Sequence, residues 1–165
     1  MMSLTQVNAM SPEAFVAAFG DVAEHSPWVA QAAARQRPFA SREAMIGNFE
    51  KTLRAAPHEA QLTLVRAHPD LATKAKLTDD STREQAQAGL GSLSAEEFAR
   101  FDKLNTAYKA RFGFPFIFAV KGATKHQILS GFAERVGNDL AVEFGNTITQ
   151  INRIFRFRIE DRVAP

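Results

Sequence analysis

No cysteine occurs anywhere in the 165 residues. That absence excludes a disulfide framework, thiolate zinc sites and a cysteine nucleophile, and it fits a reducing compartment. Charge of one sign is also lacking, since 20 Lys and Arg face 18 Asp and Glu for a net +2 at pH 7. Nucleic-acid recognition through a clustered basic face is therefore not expected. No apolar run reaches the roughly 20 residues of a membrane-spanning helix. The start, MMSLTQVNAM, has neither a basic segment nor a long apolar one, so no secretory signal is expected. The end, DRVAP, carries no peroxisomal address. These absences lead to the expectation of a soluble, cytoplasmic protein that binds neither membrane nor nucleic acid. His25, His58 and His126 show no metal-ligand spacing, and no Walker loop, nucleophile elbow or dinucleotide fingerprint is present.

What is present is a series of helix starts. Ser11-Pro12-Glu13 and Ser26-Pro27-Trp28 each place a serine cap before a proline. Proline is tolerated at the first helical position because its missing N–H would have no partner there. Ser41 opens a helix that runs to about Ala56, and Pro57 opens another through LTLVRA. Ser81 to Glu84, Ser94 to Glu97 and Thr124 to Gln127 all match the reciprocal capping box. Apolar residues recur at helical spacing, as in Phe15, Ala18, Phe19 and Val22, or Phe98, Phe101, Leu104 and Tyr108. Period-two alternation and Asn-Gly or Asp-Gly hairpins are missing. The pattern predicts an all-α fold, a compact single-domain bundle over 1–165 with about seven to nine helices. Residues 1–10 are expected to be a flexible N-terminus. Two stretches stand outside the helices, His68 to Ser81 and Gly113 to Thr124.

Four places could carry chemistry. His68 stands directly before Pro69, and a residue before proline is pushed out of the helical region. It should end its helix and carry a ring that exchanges protons near neutrality; capping the last carbonyls of the helix is the plainer alternative. In STREQAQAGL, Ser81 and Glu84 could simply cap one another. The N–H groups of that helix start, with Glu84 and Gln85, could instead hold a polar ligand. Gln85 is the more informative of the two, because the capping box does not need it.

In FGFPFIFAVKG, Gly113 can act as a left-handed stop, and Phe114 must be extended before Pro115. Phe116, Ile117, Phe118, Ala119 and Val120 then form an apolar strip whose backbone groups need partners, from protein or from a ligand. Along the last helix, from about Asn138, Phe144, Ile148, Ile151, Phe155 and Ile159 make one stripe. Arg158 falls inside it, whereas Arg153 and Arg156 fall outside and look solvated. An arginine on the apolar side needs a carboxylate or an anionic ligand. An internal ion pair, or a guanidinium reaching out from the edge of the stripe, would be the structural explanation.

Taken together, HPDL, SxxEQAxAGL, LNxxYxxRFGFPFI and a late RxRI resemble one family closely. That family is 2-oxo-4-hydroxy-4-carboxy-5-ureidoimidazoline (OHCU) decarboxylase, which performs the third step from urate to allantoin. The resemblance runs from FVAAFGDVAEHSPWVAQAA near the start to RFRIEDR at the end. It implies a compact all-helical fold, a homodimer, no metal and no organic cofactor. Position by position, His68 matches the catalytic histidine and Pro69 its neighbour at the substrate. Ser81, Glu84 and Gln85 match the ligand-binding turn, and Phe116 to Val120 the backbone strip that binds substrate. Arg158 matches the arginine near the C-terminus; Arg156 lies close by, and the stripe favours Arg158. Catalytic roles are thereby implied for His68, Glu84 and Arg158.

The implied partners are a small ureidoimidazoline substrate and, functionally, urate oxidase and hydroxyisourate hydrolase. The family's substrate carries its carboxylate beside an imine-like ring carbon, so the electron pair released with carbon dioxide flows into the C=N bond. The substrate is its own electron sink. Orientation, charge stabilisation and one-sided protonation are left to the protein. A catalytically silent ureide-binding or scaffold protein of the same fold is the competing reading; it would have no chemical reason to keep His68, Glu84, Gln85 and Arg158 together. Nucleic-acid binding through the last helix would show a steep salt dependence, and Glu160 and Asp161 beside its arginines oppose it.

Overall fold

A computed structural model describes residues 1–73 and 78–165; part of the non-helical stretch expected from His68 to Ser81 lies outside the described residues. Among those described, the chain forms nine helices and one isolated backbone bridge, which makes it all-α. The helices are α1 (Leu4–Ala9), α2 (Pro12–Phe19), α3 (Trp28–Ala34), α4 (Arg42–Ala55), α5 (His58–Arg66), α6 (Asp79–Gln87), α7 (Ala95–Phe112), α8 (Lys125–Arg135) and α9 (Leu140–Glu160). None of the described helices is long and apolar enough to cross a membrane. The chain divides into two compact units, Met1–Ala67 with Ile151–Pro165, and His68–Gln150. Helix α9 gives its start to the second unit and its end to the first.

In the first unit, Ser11 and Ser41 cap α2 and α4 by accepting from the N–H groups of Ala14 and Ala44, as expected. Helix α3 differs. Its cap is Pro27, with no side-chain hydrogen bond. The Ser26 hydroxyl instead donates back to the Glu24 carbonyl at 2.8 Å, across a turn in which His25 has φ +47°. A hydroxyl folded onto its own turn is not available to the N–H groups ahead of it. The core is built from Phe15, Phe19, Met45, Ile46, Phe49, Leu53 and Phe155, all fully buried. Phe15 lies 4.9 Å from Phe19, and Phe49 meets Phe155 edge-on at 6.2 Å. Each large apolar side chain removed from water contributes about 1.5–3 kcal/mol.

The flexible N-terminus expected over 1–10 gives way to a docked helix. Ser3 and Gln6 form a capping box that starts α1, and Val7 is buried. Arg37 donates to the carbonyls of Val7 and Met10. Met2 donates to the Arg162 carbonyl and accepts from the Ala164 N–H, so both chain ends are tied within this unit.

In the second unit, capping boxes start α7 at Ser94–Glu97 and α8 at Thr124–Gln127. Gly113 ends α7 in the left-handed region at φ 78°, a conformation that glycine adopts without steric cost. The proposed Ser81–Glu84 box is overturned. Helix α6 begins earlier, and its cap is Thr78, which accepts from the Ser81 N–H. Asp79 and Asp80 fill the first turn, where carboxylates complement the free N–H groups. Tyr108, Phe101, Phe116 and Phe132 form the core, with Phe116 stacked on Phe132 at 3.8 Å and 8°. A Cβ at position 131 would stand 3.1 Å from the Phe118 ring; glycine there lets the ring lie against α8.

Candidate active site

Helix α5 stops at Arg66, with Ala67 as its C-cap. His68 is the next residue, 8% exposed. The loop that follows is clamped by three side chains. Asn105 donates from Nδ2 to the Leu71 carbonyl at 2.9 Å, and Gln85 Oε1 accepts from the Ala72 N–H at 3.0 Å. Lys109 Nζ pairs with Asp70 at 2.8 Å. Asn105 and Lys109 stand one helical turn apart on α7, which sets them on one face. Ala72 has φ +55°, an uncommon conformation outside glycine, and its hydrogen bond to Gln85 holds it there. Leu71 is buried, which anchors the middle of the loop. Lys109 and Asp70 are partly exposed, so that pair contributes little beyond orientation.

Helix α6 places Ser81 and Gln85 four residues apart, both buried, with Glu84 half-buried between them. Glu84 and Gln85 therefore sit beyond the first turn in which the sequence placed them. Gln85, which no capping box required, has its partner in the loop after His68.

The strip over 115–120 runs without helix, turn or bend. Phe116, Ile117, Ala119 and Val120 are buried and Phe118 is half-buried. The Ile117 carbonyl accepts from Arg135 Nη1 at 2.7 Å, and the Ala119 N–H donates to Gln150 Oε1 at 2.9 Å. The Val120 carbonyl accepts from the Ala123 N–H at 3.0 Å. Among the described residues, the remaining N–H and C=O groups from Phe116 to Val120 make no hydrogen bond.

Behind Arg135 lies a buried carboxylate, Glu143, with 0% exposure. It accepts from Arg135 Nε at 2.7 Å, from the Tyr108 hydroxyl at 2.6 Å and from Asn138 at 3.0 Å. Burial by itself would push the Glu143 carboxyl up, but hydrogen bonds from Arg135, Tyr108 and Asn138 outweigh it and hold the group below its ordinary value. Burial, reinforced by the bond to Glu143, drives the Tyr108 hydroxyl well above its usual range. A carboxyl lowered on folding stabilises the protein above its unfolded pKa, and that contribution is lost as pH falls through the folded value. We expect Glu143→Gln to be less stable at pH 7 and to show a flatter dependence of unfolding free energy on pH below about 4.3, the ordinary Glu value. Urea melts followed by circular dichroism at several pH values measure that slope. An unchanged slope would mean that Glu143 does not link folding to protons.

Arg158 belongs to the first unit, whereas His68, Pro69, Ser81, Glu84, Gln85 and Phe116 to Val120 belong to the second. It is buried, as the stripe predicted, and its Nη1 donates to Glu24 Oε2 at 2.9 Å and to the Val22 carbonyl at 3.3 Å. Glu24 is buried as well, so an internal carboxylate meets the requirement that the sequence left open. Arg153 is exposed as expected. Arg156 is not simply solvated: it pairs with Glu43 at 2.8 Å and with Glu160 at 3.4 Å. The sequence reading missed Glu24, Asn105, Arg135, Glu143 and Gln150. Asn105 lay inside the motif LNxxYxxRFGFPFI, and Glu24 inside the stretch FVAAFGDVAEHSPWVAQAA near the start.

The comparisons with known proteins agree with one another. A family model described as OHCU decarboxylase matches residues 8–160. The chain is 40% identical over 163 residues to the 2-oxo-4-hydroxy-4-carboxy-5-ureidoimidazoline decarboxylase of Haloferax volcanii, covering 99% of this chain and 97% of that one. To the protein of the same name from Amia calva it is 43% identical over 167 residues, covering 97% and 94%. The crystal structure of (S)-allantoin synthase superposes with a TM-score of 0.81 at 26% identity, covering 98% of this chain and 54% of that one, so this chain spans about half of that solved chain. A family match over most of the length, with two relatives of this identity and coverage, means that the chain belongs to the OHCU decarboxylase family.

Proposed function

We propose that the protein is a carboxy-lyase that converts 2-oxo-4-hydroxy-4-carboxy-5-ureidoimidazoline to (S)-allantoin in urate degradation. The observation that carries this reading is the presence, in one compact unit, of a buried histidine on a clamped loop and a strip of backbone amides with bonding capacity to spare. A cyclic ureide is a plate of N–H and C=O groups, and such a strip is its natural complement.

The bond between the ring carbon and the carboxylate breaks, and its electron pair forms a double bond to the neighbouring ring carbon. The C=N pair moves onto the ring nitrogen, where it is protonated. The enol hydroxyl then gives up its proton as the ureido-bearing carbon gains one, and that carbon becomes the stereocentre. His68 is the proton shuttle. Glu84 and Gln85 hold the N–H and C=O groups of the ureido arm, and Ser81 and Pro69 complete the binding set that the family resemblance implies. For Arg158 the family resemblance implies a role in binding the carboxylate or ring oxygens, where a cation would stabilise the developing negative charge. Backbone groups from Phe116 to Val120 pair with the ring amides. No organic cofactor enters the scheme, because the substrate's own C=N bond accepts the electrons. The family resemblance also supports a homodimer, a cytoplasmic location and functional association with urate oxidase and hydroxyisourate hydrolase.

The test is circular dichroism of allantoin formed during urate breakdown, with the first two enzymes generating substrate in the cuvette. Fast growth of an S-allantoin signal only when this protein is added is the expected result. Slow racemic product whether or not the protein is present would overturn the reading and favour a silent ureide-binding protein of the same fold.

A further inference from the structure

We propose that Arg135 and Gln150 are positioning residues for the reaction, holding the strip from Phe116 to Val120 in register by tying down one of its two edges. The inference deepens the decarboxylase reading and rests on it.

In extended backbone the hydrogen-bonding groups of successive residues alternate sides, so those of residues i and i+2 lie along the same edge. The two side chains that bond to the strip select Ile117 and Ala119. Arg135 from α8 takes the Ile117 carbonyl at 2.7 Å, and Gln150 from α9 takes the Ala119 N–H at 2.9 Å. On the extended strip that the sequence predicts, both anchors serve one edge. The groups of Phe118 belong to the other edge, and neither its N–H nor its carbonyl is used by the described residues. A donor and an acceptor from one residue, facing the same way, are what a ring amide needs for a two-point contact.

Arg135 is held as firmly as the strip that it anchors. Its Nε donates to Glu143 at 2.7 Å, its guanidinium carbon lies 4.4 Å from the centre of the Phe116 ring, and Tyr108 and Asn138 fix Glu143 in turn. The fork of a guanidinium can serve the carboxylate and the carbonyl at once, which a lysine ammonium on a flexible stem does not reproduce. Gln150 is the more accessible partner, half-buried and with a single bond to the strip, so its removal leaves the buried cluster in place.

The experiment compares kcat, KM and allantoin enantiomeric excess for wild type, Gln150→Leu, Gln150→Glu and Arg135→Lys, with thermal melts of each. Gln150→Leu is expected to raise KM about tenfold, the scale of one lost hydrogen bond, and to lower enantiomeric excess as the ring plane loosens. Gln150→Glu keeps an acceptor at that place and should bring KM back towards the wild-type value. Arg135→Lys should raise KM in the same direction and also lower the melting temperature. If Gln150→Leu melts lower but keeps wild-type kcat, KM and enantiomeric excess, the anchors are structural only and the inference is overturned. If the wild-type chain itself gives no turnover, the decarboxylase reading fails and takes this inference with it.

Discussion

Replacing His68 with alanine is expected to lower kcat/KM by about 10²–10⁴, the usual contribution of a positioned general acid–base, while leaving the helical fold intact. The histidine begins the loop rather than sitting within a helix, so its loss removes no helical hydrogen bond. The loop keeps its own anchors at Leu71, Ala72 and Asp70. Far-ultraviolet circular dichroism should therefore superpose on the wild-type spectrum. What remains of the rate comes from orientation and charge stabilisation, which His68 does not supply. The stereochemistry should change with the rate: once the shuttle is gone, protonation of the ureido-bearing carbon passes to solvent and enantiomeric excess falls. His68→Asn, which keeps a hydrogen-bonding side chain but cannot shuttle a proton near neutrality, should resemble alanine. Turnover by a folded His68→Ala within about threefold of wild type, against the 10²–10⁴ expected, would remove the histidine from the mechanism.

The second large effect concerns stability. Glu24→Ala is expected to destabilise the fold by about 3–5 kcal/mol, because it removes a buried carboxylate that pairs with the buried Arg158 guanidinium. The pair is closed on both sides, with exposures of 2% for Arg158 and 1% for Glu24. The Val22 and Asp21 carbonyls, at 3.3 and 3.5 Å, are neutral acceptors and do not balance a buried charge as a carboxylate does. For a chain of this length the loss corresponds to a melting temperature lower by roughly 10 °C. The double variant Glu24→Leu with Arg158→Met should recover most of the difference, since replacing both members of a buried pair with apolar groups is often close to neutral. If Arg158 binds substrate as proposed, the double variant should still lose activity; wild-type turnover by the double variant would leave the arginine a structural role only. If Glu24→Ala costs less than about 1 kcal/mol, the ion pair is not what keeps the guanidinium buried.

Helix ends were legible wherever the cap lay next to the residues it serves. Ser11, Ser41, Ser94 and Thr124 each cap the helix that their position suggests. The exceptions have local physical causes. At Ser26 the hydroxyl prefers the Glu24 carbonyl. At Ser81 an upstream threonine caps first and draws the serine into the helix. The N-terminal segment was misjudged because what holds it, Arg37 together with the residues near the C-terminus, is far away in the chain.

The candidate site divides along the same line. From the sequence alone follow the break after α5 that sets His68 outside a helix, the glycine stop before the strip, and the burial of Arg158 rather than Arg156. Each depends on interactions within about four residues, which periodicity and proline chemistry encode directly. The tertiary structure alone decided the partners. Glu24 meets Arg158 across 134 residues, Asn105 reaches Leu71 across 34, and Tyr108 meets Glu143 across 35. A buried polar group must find a partner, and the sequence states that demand. Which distant group meets it depends on how the chain brings those segments together, and no local pattern records that.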